Sequence, residues 1–373
     1  MIEKIRLAKS TIGAEEKQAV LRVLDNEYLG MGEEVRLFEQ ELQEYLQTGR
    51  EVVCVNTGTA ALHLALHCLG LHEGDEVLVP TITYVASFQA ISATGARPVA
   101  CDVREDTLFI DVDDAKKRLT ANTRAIMPVH YASDSRHIQG VYDFAAEHDL
   151  KVIEDAAHSF GSKRDGVAVG DCGETVCFSF DGIKNLTSGE GGAVVSDDTD
   201  LLALIRDARL LGVEKDTEKR YSGRRSWEFD VKQQGFRYHM SNIMAAIGRA
   251  QLGKIDRAAL TRQGIVKRYL SRLDGLVDIV PLQLDYDNIV PHLFVVKVKG
   301  GKRDGLRDYL VGHGIECGVH YQPNHLLTRF RSDYRLPVAE KAYGEILSLP
   351  LHLDLSVSQQ ETIVTRIREF CGR

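Results

Sequence analysis

Hydrophobic and polar residues alternate along the chain with two different periods. In residues 33–46 apolar side chains recur every three or four positions, at Val35, Phe38 and Leu42, which predicts an amphipathic helix. Elsewhere apolar residues form short runs bounded by turn residues, which predicts buried strands. The predicted strands are 51–55, 76–79, 98–101, 125–129, 151–153, 175–180 and 193–196. The predicted helices are 14–28, 33–46, 59–69, 84–94, 112–119 and 138–148.

Strands and helices follow one another in regular order, and the intervening segments are long enough for crossover connections. This order predicts an α/β fold with a mainly parallel sheet that is covered on both faces, with ligands at the carboxyl ends of its strands. After about residue 240 the pattern changes. It predicts a long helical region, 241–273, a strand at 292–298, a helix at 303–312, an extended segment at 315–321 and a helix at 357–370. We therefore expect a large domain, 1–240, and a smaller C-terminal α+β domain, 241–373.

Composition narrows the possible classes of protein. The chain has 46 Lys and Arg against 54 Asp and Glu, a net charge of −8, which disfavours a nucleic-acid binder. A hydrophobic fraction of 44% and a charged fraction of 27% are ordinary for a globular enzyme, and exclude disorder, collagen and coiled coil. Seven scattered cysteines without a C-x-x-C pair favour a reducing compartment. No signal peptide or long apolar run is visible, so we expect a cytoplasmic protein without a membrane span.

The segment NTGTAAL, residues 56–62, joins a predicted strand to a predicted helix. Free backbone N–H groups at Gly58 and Thr59 could bind an anion, and Gly58 would let a phosphate approach the backbone. A threonine-capped helix after a turn explains the segment equally well. Neither a Walker motif nor G-x-G-x-x-G is present, which disfavours a nucleoside triphosphatase, a dinucleotide-binding dehydrogenase and a plain nucleotide-binding module.

Two further segments carry candidate chemistry. In VIEDAAH, residues 152–158, Asp155 and His158 could be acid–base groups, metal ligands or the anchor of a cationic heterocycle, or the carboxylates could be structural caps. In FSFDGIKNLTSGEGG, residues 178–192, Lys184 could be a desolvated nucleophile that forms a Schiff base, or a surface lysine. Taken together, an anion cradle, an aspartate and a loop lysine are the parts that hold pyridoxal phosphate.

Several motifs occur in an order that resembles a known family. They are TGTAAL, PTITYVASFQAI, PVHYA, EDAAHSFG, FSFDGIKNLTSGEGG, MSNIMAAIGRAQL, HYQPNHL and LPLH, spread from about residue 5 to residue 355. Together they resemble the DegT/DnrJ/EryC1/StrS family of pyridoxal-phosphate-dependent nucleotide-sugar aminotransferases. The resemblance implies an aspartate-aminotransferase-like fold (fold type I) and a homodimer with shared active sites.

The resemblance also assigns roles to individual residues. Lys184 corresponds to the Schiff-base lysine, Asp155 to the partner of the pyridine nitrogen, and His158 to a residue beside the cofactor's phenolic oxygen. Tyr84 corresponds to an aromatic residue that stacks on the ring, although it could instead lie in the core. The phosphate-binding positions correspond to Gly58, Thr59 and Ser179, of which Ser179 could merely be a cap.

One segment departs from the family pattern. Many members have G-Y-N-Y-R, whose asparagine reaches the phosphate of the neighbouring subunit's cofactor, whereas this chain has GFRYH at 235–239. Arg237 could make a stronger phosphate contact there, or could be a surface arginine.

Substrate contacts are expected from HYQPNH, where His320, Tyr321 and His325 resemble the segment near the sugar. Histidines in such a cluster could also be core residues or metal ligands, but the implied chemistry needs no metal. The basic loop 219–225 could bind a pyrophosphate, or could be a solvated surface loop.

The implied reaction is a two-stage transamination from glutamate to the ketone of a nucleotide-linked sugar, most simply a 4-keto-6-deoxyhexose, in amino-sugar or lipopolysaccharide O-antigen biosynthesis. A dehydratase of the same fold would carry histidine in place of Lys184. A non-catalytic regulator that uses the fold as a sensor would carry a helix-turn-helix domain or a basic arm.

Overall fold

The computed structural model describes residues 4–225 and 227–372. Its helices are α1 (Ala14–Asp25), α2 (Glu33–Leu46), α3 (Gly58–Cys68), α4 (Val85–Ala93), α5 (Val112–Arg118), α6 (Ile138–Glu147), α7 (Thr199–Ala208), α8 (Asp216–Tyr221), α9 (Asn242–Leu252), α10 (Ile255–Leu273), α11 (Arg303–Gly312), α12 (Pro337–Glu345) and α13 (Val357–Cys371). Its strands are β1 (Glu51–Val55), β2 (Glu76–Pro80), β3 (Arg97–Cys101), β4 (Thr123–Ile126), β5 (Lys151–Asp155), β6 (Lys163–Arg164), β7 (Val167–Ala168), β8 (Thr175–Ser179), β9 (Gly192–Ser196), β10 (Ile279–Pro281), β11 (Phe294–Val298) and β12 (Ile346–Leu349).

The seven strands predicted in the first half of the chain form one sheet, in the order β1-β9-β8-β5-β4-β2-β3. Strand β9 is antiparallel to both of its neighbours, and the other pairs are parallel, which confirms the predicted α/β class. Both faces of the sheet are covered. In β1, Val53 and Val55 pack in the core that contains α3 and α7, whereas Val52 and Cys54 pack in the core that contains α2. Burial on both sides explains why these strands read as unbroken apolar runs.

The second half of the chain contains a three-stranded antiparallel sheet, β10-β11-β12. The helical region predicted at 241–273 is interrupted at Gly253 and Lys254, so that it forms α9 and α10. Helix α9 packs on α1 and α2, whereas α10 contacts α13. The predicted domain boundary near residue 240 therefore coincides with the start of α9, which packs on helices from the first half of the chain. The division into two domains stays a prediction.

The predicted extended segment 315–321 does not join the small sheet as a full strand. It makes single backbone bridges, from Ile315 to Ile5 and from Gly318 to Ser348, and the third strand of the sheet is β12. The segment instead leads towards the large sheet, where the hydroxyl of Tyr131 donates to the carbonyl of His320. The segment therefore leaves the small sheet after Gly318 and connects the second half of the chain to the first.

The sheet places several loops at a common edge. Strands β2, β4, β5 and β8 are parallel, and β1 runs in the same direction because β9 is antiparallel to both β1 and β8. Their carboxyl ends meet at one edge, where ligands of such sheets bind. Within the described ranges, no helix is long and apolar enough to span a bilayer.

Candidate active site

A cavity of about 410 Å³ opens at the carboxyl edge of the sheet. The residues predicted from the sequence that line it are Gly58, Thr59, Tyr84, Asp155, His158, Ser179, Lys184, His320 and Tyr321. They come from the first residues of α3, the segment between β2 and α4, the ends of β5 and β8 with the loops that follow, and the segment between α11 and α12. The fold therefore brings together all the predicted site residues except Arg237 and His325.

The N-terminus of α3 forms an anion cradle at one end of this cavity. Thr57 caps the helix, its hydroxyl oxygen accepting the N–H of Ala60 at 3.0 Å. The N–H groups of Gly58 and Thr59 belong to the first turn and have no partner within the helix. A Cβ at residue 58 would lie 2.6 Å from Cβ of Ser179, so only glycine lets these two segments meet. Backbone donors, the helix dipole and the Ser179 hydroxyl together suit a phosphate group.

Glycine is also required on the strand beside the cradle. A Cβ on Gly192, the first residue of β9, would lie 2.5 Å from the carbonyl oxygen of Thr57 and 2.8 Å from the nitrogen of Gly58. Because β9 approaches the start of α3 so closely, only glycine fits at residue 192, the last position of the GEGG sequence.

Asp155 ends β5 and is buried. Its Oδ2 accepts the hydroxyl of Ser87 at 2.7 Å, and its Oδ1 accepts the N–H of Ala157 at 3.2 Å. Burial raises the pKa of this carboxyl, although the two hydrogen bonds and the charge of Lys184 act in the opposite direction. A cation placed beside it would restore the charged form, and a protonated ring nitrogen is such a cation.

Lys184 follows β8 in a turn that its own N–H closes on the carbonyl of Asp181 at 3.0 Å. Its amine lies inside the site, 3.5 Å from Nε2 of His292. Removal from water lowers the pKa of this amine, opposed by the charges of Asp181 and Asp155. These contacts and the lowered pKa exclude the alternative of a solvated surface lysine and provide a nucleophilic amine.

His158 is held in one tautomer. Its Nδ1 accepts the N–H of Ala132 at 3.3 Å, and its Nε2 lies 3.2 Å from the hydroxyl of Tyr321. Burial holds the pKa of this imidazole well below its usual range. The neutral ring therefore carries its proton on Nε2, the nitrogen that faces the cavity wall.

Tyr84 is a surface residue of the cavity and not part of the core. Its side chain is 60% exposed, and its ring centre lies 5.8 Å from that of Tyr321. On the neighbouring wall, Nδ1 of His320 pairs with the hydroxyl of Ser348 at 2.7 Å, and burial lowers the pKa of His320 to about 4. A flat ligand would lie beneath an exposed aromatic ring, the position that the family resemblance implies for Tyr84.

His325 and Arg237 lie outside the cavity lining. His325 is buried, with Nδ1 2.8 Å from the hydroxyl of Thr81 and Nε2 3.4 Å from Glu340. It thus joins the end of β2 to α12 in place of facing a ligand. Arg237 is exposed, and its carbonyl accepts the side-chain amide of Asn56 at 3.5 Å, just outside the cradle.

Several residues of this site were not assigned by the sequence reasoning, among them three polar side chains. Ser87 donates to Asp155, Asp181 lines the cavity, and His292 contacts Lys184. Ser87 and Asp181 lie inside motifs that carry the family resemblance, but His292 lies in a run that the periodicity predicts as an ordinary buried strand. Among the described residues no group of three or more histidine, cysteine or acidic side chains could hold a metal ion.

Comparison with known proteins agrees with this geometry. The chain matches the DegT/DnrJ/EryC1/StrS aminotransferase family over residues 10–368. It is similar to the aminotransferase TlmJ from Streptoalloteichus hindustanus, with 31% identity, 98% of each chain covered and a TM-score of 0.91. It is also similar to DesV from S. venezuelae, with 34% identity, 96% of this chain and 95% of that chain covered, and a TM-score of 0.87.

A third similar structure bears on the cofactor. It is the PLP form of the putative sugar aminotransferase Spr1654 from Streptococcus pneumoniae, with 28% identity, 99% of each chain covered and a TM-score of 0.91. The same protein is known in a PMP form. The chain therefore belongs to the DegT/DnrJ/EryC1/StrS aminotransferase family, and it is a pyridoxal-phosphate-dependent sugar aminotransferase of fold type I.

Proposed function

We propose that this enzyme transfers the amino group of glutamate to the ketone of a nucleotide-linked deoxysugar, with a 4-keto-6-deoxyhexose as the preferred acceptor. It acts in the cytoplasm as a homodimer with shared active sites, and supplies amino sugars for surface polysaccharide such as lipopolysaccharide O-antigen. One observation carries the catalytic part of the proposal. The amine of Lys184, the carboxylate of Asp155 and the anion cradle at Gly58, Thr59 and Ser179 line a single cavity.

The residues of the cavity fit pyridoxal phosphate. The cradle would hold the phosphate, Asp155 the ring nitrogen, and Tyr84 one face of the ring, while Nε2–H of His158 would donate to the phenolic oxygen. When bound, the cofactor supplies an aldehyde and an electron-withdrawing ring that stabilises negative charge at the substrate carbon.

Lys184 performs the proton transfers in this proposal. Its lowered pKa leaves the amine neutral in a larger fraction of molecules than an exposed lysine, so it can take a proton from the substrate carbon and later return it. Asp155 would be ionised beside a protonated ring nitrogen and would hold the proton there. His320 and Tyr321, on the wall above, contact the sugar. His325 does not contact the sugar in this proposal, because it lies outside the cavity lining; it supports the segment 324–326 through its bonds to Thr81 and Glu340.

The neighbouring subunit completes the site in this proposal. Arg237 is exposed in the single chain, and only its backbone carbonyl bonds to Asn56, so in this proposal its side chain reaches the phosphate of a cofactor across a dimer interface. The basic segment 219–225 was predicted as a loop, but residues 219–221 are the last three of α8. In this proposal the segment binds the pyrophosphate of the sugar nucleotide. Glutamate as donor, the ring position of the ketone and the polysaccharide pathway rest on family membership.

Two other functions fit the fold less well. A dehydratase of this fold carries histidine at the position of Lys184, and a sensor has no use for an amine of lowered pKa at the end of a cofactor cavity. The lysine therefore favours transamination.

Cofactor attachment is the first test. Purified protein should show a visible absorbance band, and borohydride should fix the cofactor's mass on the peptide that contains Lys184. The variant Lys184→Ala should lose both signals, whereas the exposed control Lys151→Ala should keep them. A wild-type protein that takes up no cofactor would contradict the proposal.

Substrate and assembly need separate tests. The pyridoxamine form should convert dTDP-, UDP- or GDP-linked 4-keto-6-deoxysugars to amino sugars that mass spectrometry detects, and preference for 3-keto sugars would contradict the assignment. Mixed dimers of Lys184→Ala and Arg237→Ala chains should regain activity if the sites are shared. Failure of both variants to complement would instead place each site within one chain.

A further inference from the structure

We propose that His292 is a positioning residue of the active site, which donates a hydrogen bond from Nε2 to the amine of neutral Lys184. The proposal rests on the proposed role of Lys184 as the cofactor-binding and proton-transferring amine. It adds a residue that no motif of the sequence marks.

The side chain of His292 contacts the amine of Lys184. Its side chain is buried, with 5% of the residue exposed, and its Nε2 lies 3.5 Å from Nζ of Lys184. Its ring centre is 4.5 Å from that of His158, at an interplanar angle of 39°. The amine is thus approached by one histidine ring that is itself packed on a second.

A tight turn after β4 holds the backbone of both histidines. The hydroxyl of Ser133 donates to the carbonyl of His158 at 2.5 Å and accepts the N–H of His292 at 3.1 Å. Ala132 and Ser133 both have positive φ, 51° and 83°, a backbone conformation that non-glycine residues rarely adopt. The turn lies where the hydroxyl of Ser133 bonds to both His158 and His292.

The loop that carries Lys184 is tied to the same place. The side-chain amide of Asn185 donates to the carbonyl of His158 at 3.0 Å and to the carbonyl of Val290 at 2.8 Å. Residues 184, 158 and 290–292 are therefore held by shared hydrogen bonds, and the contact between Lys184 and His292 is part of a fixed arrangement.

The environment keeps His292 neutral. Burial holds its pKa well below the usual range, and positive charge from Lys184, His158, Arg262 or His320 would add to this effect. Arg262 is a buried arginine that donates from Nη1 to the carbonyl of Pro291 at 3.3 Å, so a permanent cation lies next to the histidine's own backbone.

The position of the single proton follows from the partners of the ring. Within the described ranges, Nδ1 of His292 is buried and has no hydrogen-bond partner. A buried N–H without an acceptor is the costlier arrangement, since such groups are rarer than unpaired acceptors. The proton therefore resides on Nε2, and it points at Nζ of Lys184.

A donor at this position stabilises the neutral amine, because only the neutral amine has a lone pair to accept with. Asp181 and Asp155 act in the opposite direction, since their charges favour the ammonium form. His158 and His320, the other titratable rings of this wall, are neutral at physiological pH because burial lowers the pKa of each. His292 thus keeps Lys184 in the form that attacks a carbonyl or takes a proton.

The test titrates Lys184 in cofactor-free protein. The rate of reductive methylation of Lys184 as a function of pH is followed by peptide mass spectrometry in wild type, His292→Phe and His292→Asn. His292→Phe should methylate about tenfold more slowly at neutral pH, with the midpoint moved to higher pH, because one hydrogen bond to the neutral amine is lost. His292→Asn, which offers an amide donor, should recover most of the rate.

A matched control is His352→Phe, since His352 is also buried and also has an unpartnered Nδ1. Its Lys184 titration should equal that of wild type. An unchanged or lowered midpoint in folded His292→Phe would overturn the proposal, since it would mean that the ring does not donate to the amine.

A second measurement covers the case in which His292→Phe does not fold. Nitrogen NMR of histidine-labelled wild type should show a protonated Nε2 and a bare Nδ1 at residue 292, and the reverse tautomer would overturn the proposal. Both experiments read out cofactor-free protein. Their failure would therefore leave the absorbance test of cofactor attachment untouched, and failure of cofactor attachment would leave the titration result standing.

Discussion

Two adjacent carboxylates at the end of β5 have opposite surroundings. Glu154, with 0% of its surface exposed, accepts the hydroxyl of Tyr142 at 2.6 Å and pairs with Arg164 at 3.2 Å and with Nε2 of His130 at 2.8 Å. Burial raises its pKa, but these partners outweigh burial and hold the pKa below its usual range. Asp155, on the other face of the strand, has a raised pKa.

The difference separates a carboxylate whose charge is matched by protein groups from one whose charge is not. Glu154 has its charge matched by protein groups and needs nothing else. Asp155 has hydrogen-bond donors but too little positive charge to offset its burial, so it has capacity for a cation that the chain itself does not supply. A protonated cofactor ring is the partner that this family provides.

The largest effect is expected when the functional carboxylate loses its charge. Asp155→Asn should reduce transamination by about 10³-fold, because groups that hold a proton through the reaction contribute 10²–10⁴-fold. Turnover of cofactor-saturated enzyme measures this. Activity within a few-fold of wild type would show that the ring nitrogen is held elsewhere.

Removal of the structural charge should affect stability instead. Glu154→Gln leaves Arg164 without its buried partner, and should lower the free energy of unfolding by about 3 kcal/mol. Urea denaturation of cofactor-free protein measures the change. The nearby exposed control Glu147→Gln should stay within about 0.5 kcal/mol of wild type. Equal losses of unfolding free energy in Glu154→Gln and Glu147→Gln would remove the distinction between a carboxylate whose charge is matched by protein groups and one whose charge is not.

A smaller effect is expected from the donor that supports Asp155. Ser87→Ala removes a hydrogen bond to a charged group, and should reduce kcat/KM by about tenfold. The cofactor-free stability should change little, because the carboxylate is less ionised without its donor. Ser92→Ala, a substitution near the end of the same helix, is the control. A loss confined to stability would assign Ser87 a packing role only.

The smallest effects are changes of stability with pH, and the two carboxylates should differ in sign. The pKa of Glu154 is lowered, so its stabilisation relative to Glu154→Gln is complete above pH 4.5 and is lost as the pH falls through the folded-state pKa. The pKa of Asp155 is raised above 3.8, so cofactor-free Asp155→Asn should gain stability relative to wild type as the pH rises from 3.8, and the gain should be complete above the raised pKa. Urea midpoints across acidic pH measure both, and parallel curves would contradict the comparison.

Part of the site could be predicted from the sequence because its parts are local. Strand ends, the threonine cap before Gly58 and the loop that carries Lys184 are contiguous segments whose turn residues and apolar runs are visible in the chain. The order of these segments in a parallel sheet then predicts that they meet at one edge. The cavity lining confirms that expectation for most of the residues.

His325 and His292 show where such reasoning ends. Both are histidines at apolar stretches of the second half of the chain, and their roles depend on partners more than 100 positions away. His325 is engaged by Thr81 and lies outside the cavity, whereas His292 meets Lys184. No local pattern distinguishes them, because a side chain's orientation towards a distant partner is set by packing.

The sequence by itself determined the fold class and the order of the strand ends, because hydrophobic periodicity and turn chemistry are local properties, and its resemblance to the family supplied the candidate cofactor residues. Only the tertiary structure decided which buried charges are matched and which are not. Glu154 and Asp155 are neighbours in the chain with almost the same chemistry, and their pKa values are shifted in opposite directions. Burial and the positions of distant charges control that difference, and both arise when the chain has folded.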